Sequence, residues 1–318
     1  MAINGVETAV FAAQDPPQLI RFFADFGLEG KQSEDRADFT LPEGSHVLVR
    51  RSDDPALPSP FLDGGEGPRE VIWGVDSQVS LDAIEKDLRG DREVSKDADG
   101  TLHTVDPVGM RIGFRLFIRK PLDRSTNAEN SQTERPRWNT FRKWYDRARP
   151  KVIQHVVFST PQIDAALDFY VKRLSFRVSD VSRQRGVFLR AEGRNEHHNL
   201  FFVNRPLGFH HMAFGLDCID ELMVGANHMQ RAGWSSKFGL GRHRVSSIAF
   251  FYMGCPTGGE IEYAADGDYI DDNWVPHVWE PAFANQYWMA GPENLPPAAK
   301  GGGLAPLPNP LPRFSEIV

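Results

Sequence analysis

The chain has 318 residues, of which 41% are apolar and 25% charged, and a formal net charge of -7; this is globular composition with room for two domains or one large one, and it excludes a fibrous or disordered protein. The acidic balance offers no basic footprint for a nucleic acid, no run of about 18 apolar residues marks a membrane span, and the start MAINGVETAVFAAQDPP lacks the basic and then long apolar pattern of a secretory signal. Only two cysteines occur, Cys218 and Cys255, without CxxC spacing; a disulfide framework is excluded, a reducing compartment fits, and a cytoplasmic location is the default expectation.

In chain order, VETAVFAAQDPPQLIRFFADFGLE (6–29) opens with an apolar strand, breaks at Pro and Asp, and continues as a helix with apolar residues at three-and-four spacing. The apolar runs REVIWGVD (69–76) and DPVGMRIGF (106–114) follow. The polar stretch RSTNAENSQTERPR (124–137) marks a boundary, and the basic, aromatic segment RPRWNTFRKWYDRARPK (135–151) reads as a solvated linker rather than a nucleic-acid patch. IQHVVFSTPQIDAALDFYVKRLSFRV (153–178) then parallels the opening segment, HHMAFGLD (210–217) parallels the second run, and CPTGGEIEY (255–263) the third. Short strands VFLRA (187–191) and NLFFV (199–203) lie between them.

Three matches in the same order argue for an internal duplication. Each half reads as two successive strand-helix-strand-rich modules, an α+β arrangement. The expected units are an N-terminal domain over 1–122, a linker over 123–150, a C-terminal domain over 151–290 and a tail over 291–318. That tail, with GGGLAPLPNPLPR, is too rich in Pro and Gly for a regular element.

The runs IQHVVF, FHHMAF and GGEIEY carry His155, His211 and Glu262. Two imidazoles and one carboxylate are the donor set of a mononuclear non-heme Fe(II) site that keeps open positions. In the register of the repeat the first half has Thr8, Glu70 and Gly113, so its copy lacks the site. Eight of the ten histidines lie at or beyond residue 155, which assigns the chemistry to the second half. Successive strand residues face opposite ways, so only one of His210 and His211, and only one of His197 and His198, can reach a given face. Glu260 and Glu262 share a face, and spacing alone does not choose between them.

The stretch LGRHRVSSIAFFYMGCPTGGEIEY (240–263), the His pair of FHHMAF and the earlier pair of EHHNLFF resemble type I extradiol ring-cleaving dioxygenases of the vicinal oxygen chelate superfamily. Similar features are a GRH segment, a later Tyr, and a Pro-x-Gly turn ahead of a Glu ligand, and the resemblance runs over about residues 4–290. It implies two tandem vicinal-oxygen-chelate domains, each of paired βαβββ modules forming a curved, open β-barrel, the N-terminal one without metal. It implies His155, His211 and Glu262 as iron ligands, His198 as acid/base, and His243 and Tyr252 holding substrate and oxygen. The implied cofactor is Fe(II), with Mn(II) accepted by the same donors, and no organic cofactor is required. The implied reactants are a catechol-type aromatic and O2, in aromatic-compound catabolism by a homo-oligomer with no nucleic-acid or membrane partner.

Two departures bear on the substrate. Some relatives carry a polar residue two positions after the first His ligand, where this chain has Val157. Some arylacetate-cleaving relatives have an Arg five positions before the loop His, where this chain has Phe238. With the Phe-rich segments LFFV and AFFY, the latter points to an apolar, even bicyclic, catechol without a carboxylate. The rival readings are a 4-hydroxyphenylpyruvate dioxygenase-like or glyoxalase-like enzyme of the same superfamily, and a non-catalytic binding protein on the same fold. His198, His243 and Tyr252 argue against the first, and the intact triad argues against the last.

Overall fold

A computed structural model describes residues 2–123, 128–290 and 304–317. The first half runs β1 (Ile3–Ala13), α1 (Pro16–Asp25), β2 (Gly30–Gln32), β3 (Arg36–Thr40) and β4 (His46–Arg51). It continues with β5 (Gly67–Val75), α2 (Gln78–Leu88), β6 (Ser95–Lys96), β7 (Leu102–Val105) and β8 (Arg111–Leu116), so two βαβββ modules follow one another. The second half repeats this order: β9 (Val152–Ser159), α3 (Ile163–Tyr170), β10 (Arg177–Ser182), β11 (Gly186–Arg190) and β12 (Leu200–Val203) form one module. β13 (Gly208–Gly215), α4 (Ile219–Arg231), β14 (Ser236–Arg242), β15 (Ala249–Gly254) and β16 (Glu260–Ala265) form the other. The short elements β17 (His277–Trp279), α5 (Pro281–Asn285), β18 (Trp288–Met289) and β19 (Leu304–Pro306) complete the described chain.

Local chemistry accounts for the element ends. The Asp15 side chain accepts from the Gln18 N–H, and Pro16 and Pro17 occupy the first turn of α1, where a missing N–H costs nothing. Ser77 caps α2 in the same way. The turn between β15 and β16 places Gly258 and Gly259 at φ 92° and 69°. A Cβ on Gly259 would stand 2.5 Å from the Phe209 ring, so glycine sets the register in which β16 enters the sheet.

The first half forms one sheet in the order β2-β3-β4-β1-β5-β8-β7-β6. The second uses the equivalent order β10-β11-β12-β9-β13-β16-β15-β14, extended by β17 and β19 beyond β10 and by β18 beyond β14. The strand registers carry the duplication to the level of residues. Ile72 lies between Thr8 and Gly113 across the first sheet, as Ala213 lies between His155 and Glu262 across the second. Glu70 pairs with Val10 as His211 is placed across from Val157.

The halves share one apolar core. Phe26 of the first stacks on Tyr263 of the second, with centroids 3.9 Å apart and planes 10° apart, and the Tyr263 hydroxyl donates to the Phe26 carbonyl at 2.8 Å. The Tyr170 hydroxyl likewise reaches back to Asp106 Oδ2 at 2.9 Å.

The tail departs from expectation. Leu304–Pro306 pairs antiparallel with β17, and Phe314–Glu316 forms a single 3-10 turn. β17 presents an open edge, and the three residues Leu304–Pro306 cover it; residues 291–303 of the tail lie outside the described residues. From 128 to 151 the chain has neither helix nor strand, and Trp138, Phe141 and Trp144 are exposed there. Among the described residues no helix is long and apolar enough to cross a membrane.

Candidate functional site

Alternation along β9 sends Val156 and Phe158 into the main core and places His155 and Val157 on the opposite face. His211 on β13 and Glu262 on β16 converge on His155. The three facing atoms form a nearly equilateral triangle: His155 Nε2 to His211 Nε2 is 3.1 Å, and each of these nitrogens is 3.2 Å from Glu262 Oε2. Among the described residues no other three His, Cys, Asp or Glu side chains come together in this way.

An ion about 2.1–2.2 Å from three mutually cis donors would set them about 3 Å apart, which is the observed spacing. Glu262 Oε2 is buried without a hydrogen-bond partner, although His155 Nε2 and His211 Nε2 each lie 3.2 Å from it. Their lone pairs therefore converge on a common point instead of aligning along an N–H. Burial lowers the His155 pKa despite the carboxylate beside it. Burial opposes ionisation of Glu262, but the two imidazoles hold its carboxyl below the usual range. A lowered His155 pKa beside an ionised carboxylate suits the binding of a divalent cation.

The choices left open by spacing are resolved by packing. His211 enters the triangle, while His210 lies behind it with its Nδ1 2.8 Å from His211 Nδ1. Burial, with the neighbouring His211, Arg205 and Arg185, lowers the His210 pKa to about 3, so it is neutral and can accept from His211. That contact fixes which nitrogen His211 turns to the triangle. Glu260 is only half-buried and takes no part in the cluster.

The triad opens into a cavity walled by Phe188, Phe201, Val203, Val245 and Ile248. His198, His243 and Tyr252 line it too, so the structure brings all six sequence-predicted residues to one space. The His198 ring lies 4.2 Å from that of His155, and burial followed by the surrounding histidines pushes its pKa well below the ordinary value. His243 is buttressed by the Asn285 carbonyl at Nδ1, and its Nε2 is 3.3 Å from the Tyr252 hydroxyl. With Nδ1 donating to a carbonyl, Nε2 is an acceptor for the phenol. Burial, reinforced by Glu262, raises the Tyr252 pKa far above its ordinary value, which keeps the hydroxyl protonated.

Sequence reasoning missed the residues behind this layer. His197 Nδ1 is 3.1 Å from His198 Nδ1, and His197 Nε2 is 3.0 Å from Asp180 Oδ2. Asp180 is itself held by the His277 backbone N–H at 2.6 Å and by Trp279 Nε1 at 2.9 Å. Asp180 lies on β10, and no spacing motif links it to the His pair. Phe238, read from sequence as a sign against a carboxylate substrate, does not line the cavity; it stacks on Phe250 at 5.0 Å and packs beside Tyr252, its partner across β14 and β15. In the first half the equivalent positions hold an ion pair, with His103 Nδ1 2.8 Å from Glu70 and His103 Nε2 3.1 Å from Asp97. His103 lies across from Gly113 as Tyr252 lies across from Glu262.

Residues 152–263 match the family model of the Glyoxalase/Bleomycin resistance protein/Dioxygenase superfamily. Metapyrocatechase 2 of Cupriavidus necator is 36% identical over 151 residues, which are 47% of this chain and 43% of the relative. An iron-dependent extradiol dioxygenase of Rhodococcus jostii (strain RHA1) is 30% identical over 136 residues, 38% of this chain and 45% of the relative. The chain thus matches less than half the length of either relative.

Two solved structures superpose over nearly their whole length. The Mn(II)-bound glyoxalase from Novosphingobium aromaticivorans gives a TM-score of 0.70 at 21% identity, covering 95% of this chain and 97% of that one. A halotolerant catechol dioxygenase gives 0.71 at 17% identity, covering 96% and 99%. At these identities the superpositions establish the fold alone, two tandem domains each of paired βαβββ modules.

Proposed function

We propose that the chain is an Fe(II)-dependent extradiol dioxygenase that opens the ring of a catechol-type aromatic with O2, in the breakdown of aromatic compounds. The observation that carries this reading is the donor triangle of His155, His211 and Glu262 facing a cavity that His198, His243 and Tyr252 also line. The relatives named extradiol dioxygenase and metapyrocatechase support it. His198, His243 and Tyr252 have no evident use in a glyoxalase-like isomerisation.

Fe(II), or Mn(II) on the same donors, would supply Lewis acidity towards the diol and the electrons that activate dioxygen. The phenylalanine wall receives the aromatic ring and excludes water, which suits an apolar or bicyclic catechol. Neutral His198, its Nδ1 engaged by His197, has Nε2 free to take a proton from a catechol hydroxyl and return it later. The Tyr252 hydroxyl can rotate from His243 Nε2 towards negative charge developing on a substrate oxygen. Asn285 holds His243 in the orientation that serves this contact.

The test is a panel of catechols scanned for ring-fission absorbance after anaerobic loading with Fe(II). A yellow product from at least one catechol is expected, together with about one metal ion per chain. The absence of any ring-fission product, or stoichiometric metal retained by His155→Ala, His211→Ala and Glu262→Ala, would overturn the reading.

A further inference from the structure

The cavity wall contains one cation with no partner. Arg185 lies in the tight turn between β10 and β11 and lines the same cavity as the triad. Its backbone is fixed at both ends: its N–H donates to the Ser182 carbonyl at 2.9 Å, and its carbonyl accepts from the Asn204 N–H at 2.7 Å. A Cβ on the next residue, Gly186, would fall 2.1 Å from the Phe202 carbonyl oxygen, so the turn is packed tightly against β12. The guanidinium of this rigidly mounted residue has no ion pair and no side-chain hydrogen bond among the described residues. Glu262 is the single carboxylate in the cavity wall, and the triad occupies it.

A second observation lies in the same turn. The Ser182 hydroxyl is buried in the cavity wall and has no hydrogen-bond partner. A half-buried cation and an unsatisfied hydroxyl on one short hairpin are complementary to an anion. We propose that Arg185, with Ser182 Oγ, receives a carboxylate carried by the catechol substrate. Burial and the neighbouring charge of Arg205 both lower the Arg185 pKa, so its charge is opposed on two sides, and a bound carboxylate would offset both effects. Arg185 lines the same cavity as Tyr252, His210 and the triad, so one substrate in that cavity can meet both Arg185 and the triad. The apolar wall and the anionic contact together define the substrate class as a catechol whose apolar ring system bears a carboxylate. This replaces the preference for neutral catechols inferred from Phe238, a side chain that does not reach the cavity.

The inference rests on the dioxygenase reading for the diol end of the ligand, so its test separates binding from turnover. Carboxymethyl catechol and its methyl ester are titrated anaerobically by calorimetry into metal-loaded wild type, Arg185→Gln and Arg185→Lys, and turnover of both compounds is then measured in air. Wild type should bind the acid roughly tenfold or more tightly than the ester, the scale of a hydrogen bond to a charged group. Arg185→Gln should abolish that ratio and Arg185→Lys restore part of it. An acid-to-ester ratio unchanged in Arg185→Gln, or a wild type that binds the two equally or prefers the ester, would overturn the proposal. If the Arg185-dependent ratio is present but neither compound is opened, the anion site stands and the dioxygenase reading fails.

Discussion

His197 Nε2 stands 3.0 Å from the buried carboxylate of Asp180, while the other nitrogen of the same ring contacts His198. With Asp180 accepting from Nε2–H, His197 turns its Nδ1 to His198 Nδ1, and donation from His198 Nδ1–H keeps the His198 Nε2 for the cavity. The carboxylate thereby sets the tautomer of a histidine it does not touch. Asp180→Asn should lower kcat by roughly ten- to hundredfold while about one metal ion per chain is retained. An unchanged kcat at full metal content would mean that His197 does not orient His198.

His198→Asn removes the proposed acid/base group and leaves the three donor side chains in place. Turnover should fall by roughly a hundredfold or more, with metal content at the wild-type level. Equal rates for variant and wild type across neutral pH would reduce His198 to a packing residue.

The stack of Phe26 on Tyr263 is the closest ring pair between the two halves. Phe26→Ala would leave a cavity at a fully buried position and should cost about 3–5 kcal/mol in unfolding free energy. Urea denaturation measures it, and a loss under about 1 kcal/mol would show that the halves are held together elsewhere.

Asp106 supplies a pH dependence whose sign follows from its burial. Burial raises its pKa to about 6, against the hydrogen bonds it accepts from Met110 N–H, the Tyr170 hydroxyl and Val108 N–H. The folded state therefore binds the proton more tightly than the unfolded chain. Its contribution is fully present below about pH 4 and is lost as pH rises through about 6, for a total of about 3 kcal/mol. Asp106→Asn should gain stability relative to wild type over that window and hold the gain above it. A difference between the two proteins that stays flat from pH 4 to 7 would contradict the assignment.

The duplication was legible because strand-helix-strand modules leave periodic apolar runs in the sequence, and the register of Thr8, Glu70 and Gly113 against His155, His211 and Glu262 is that of the paired strands. The candidate donors could be read because each sits on one of those runs. Asp180 and Arg185 were not legible: they reach the site across the sheet from β10 and its turn, and Arg185 is one of 36 lysines and arginines. Phe238 lies across from Tyr252, yet its ring stacks on Phe250 and does not line the cavity, a matter of side-chain packing that a position count along the chain does not reveal. The tail strand was missed because composition describes a segment's own propensity, whereas Leu304–Pro306 is extended by the open edge of β17.

The most direct measurement of the central claim is isotopic. Anaerobic, Fe(II)-loaded protein is mixed with a catechol from the panel, exposed to 18O2, and the product is analysed by mass spectrometry. A dioxygenase using the His155, His211 and Glu262 site should give a ring-opened acid carrying both labelled atoms, and Glu262→Ala should give none. Recovery of intact catechol from the loaded wild type, or a ring-opened product without the label, would contradict the account.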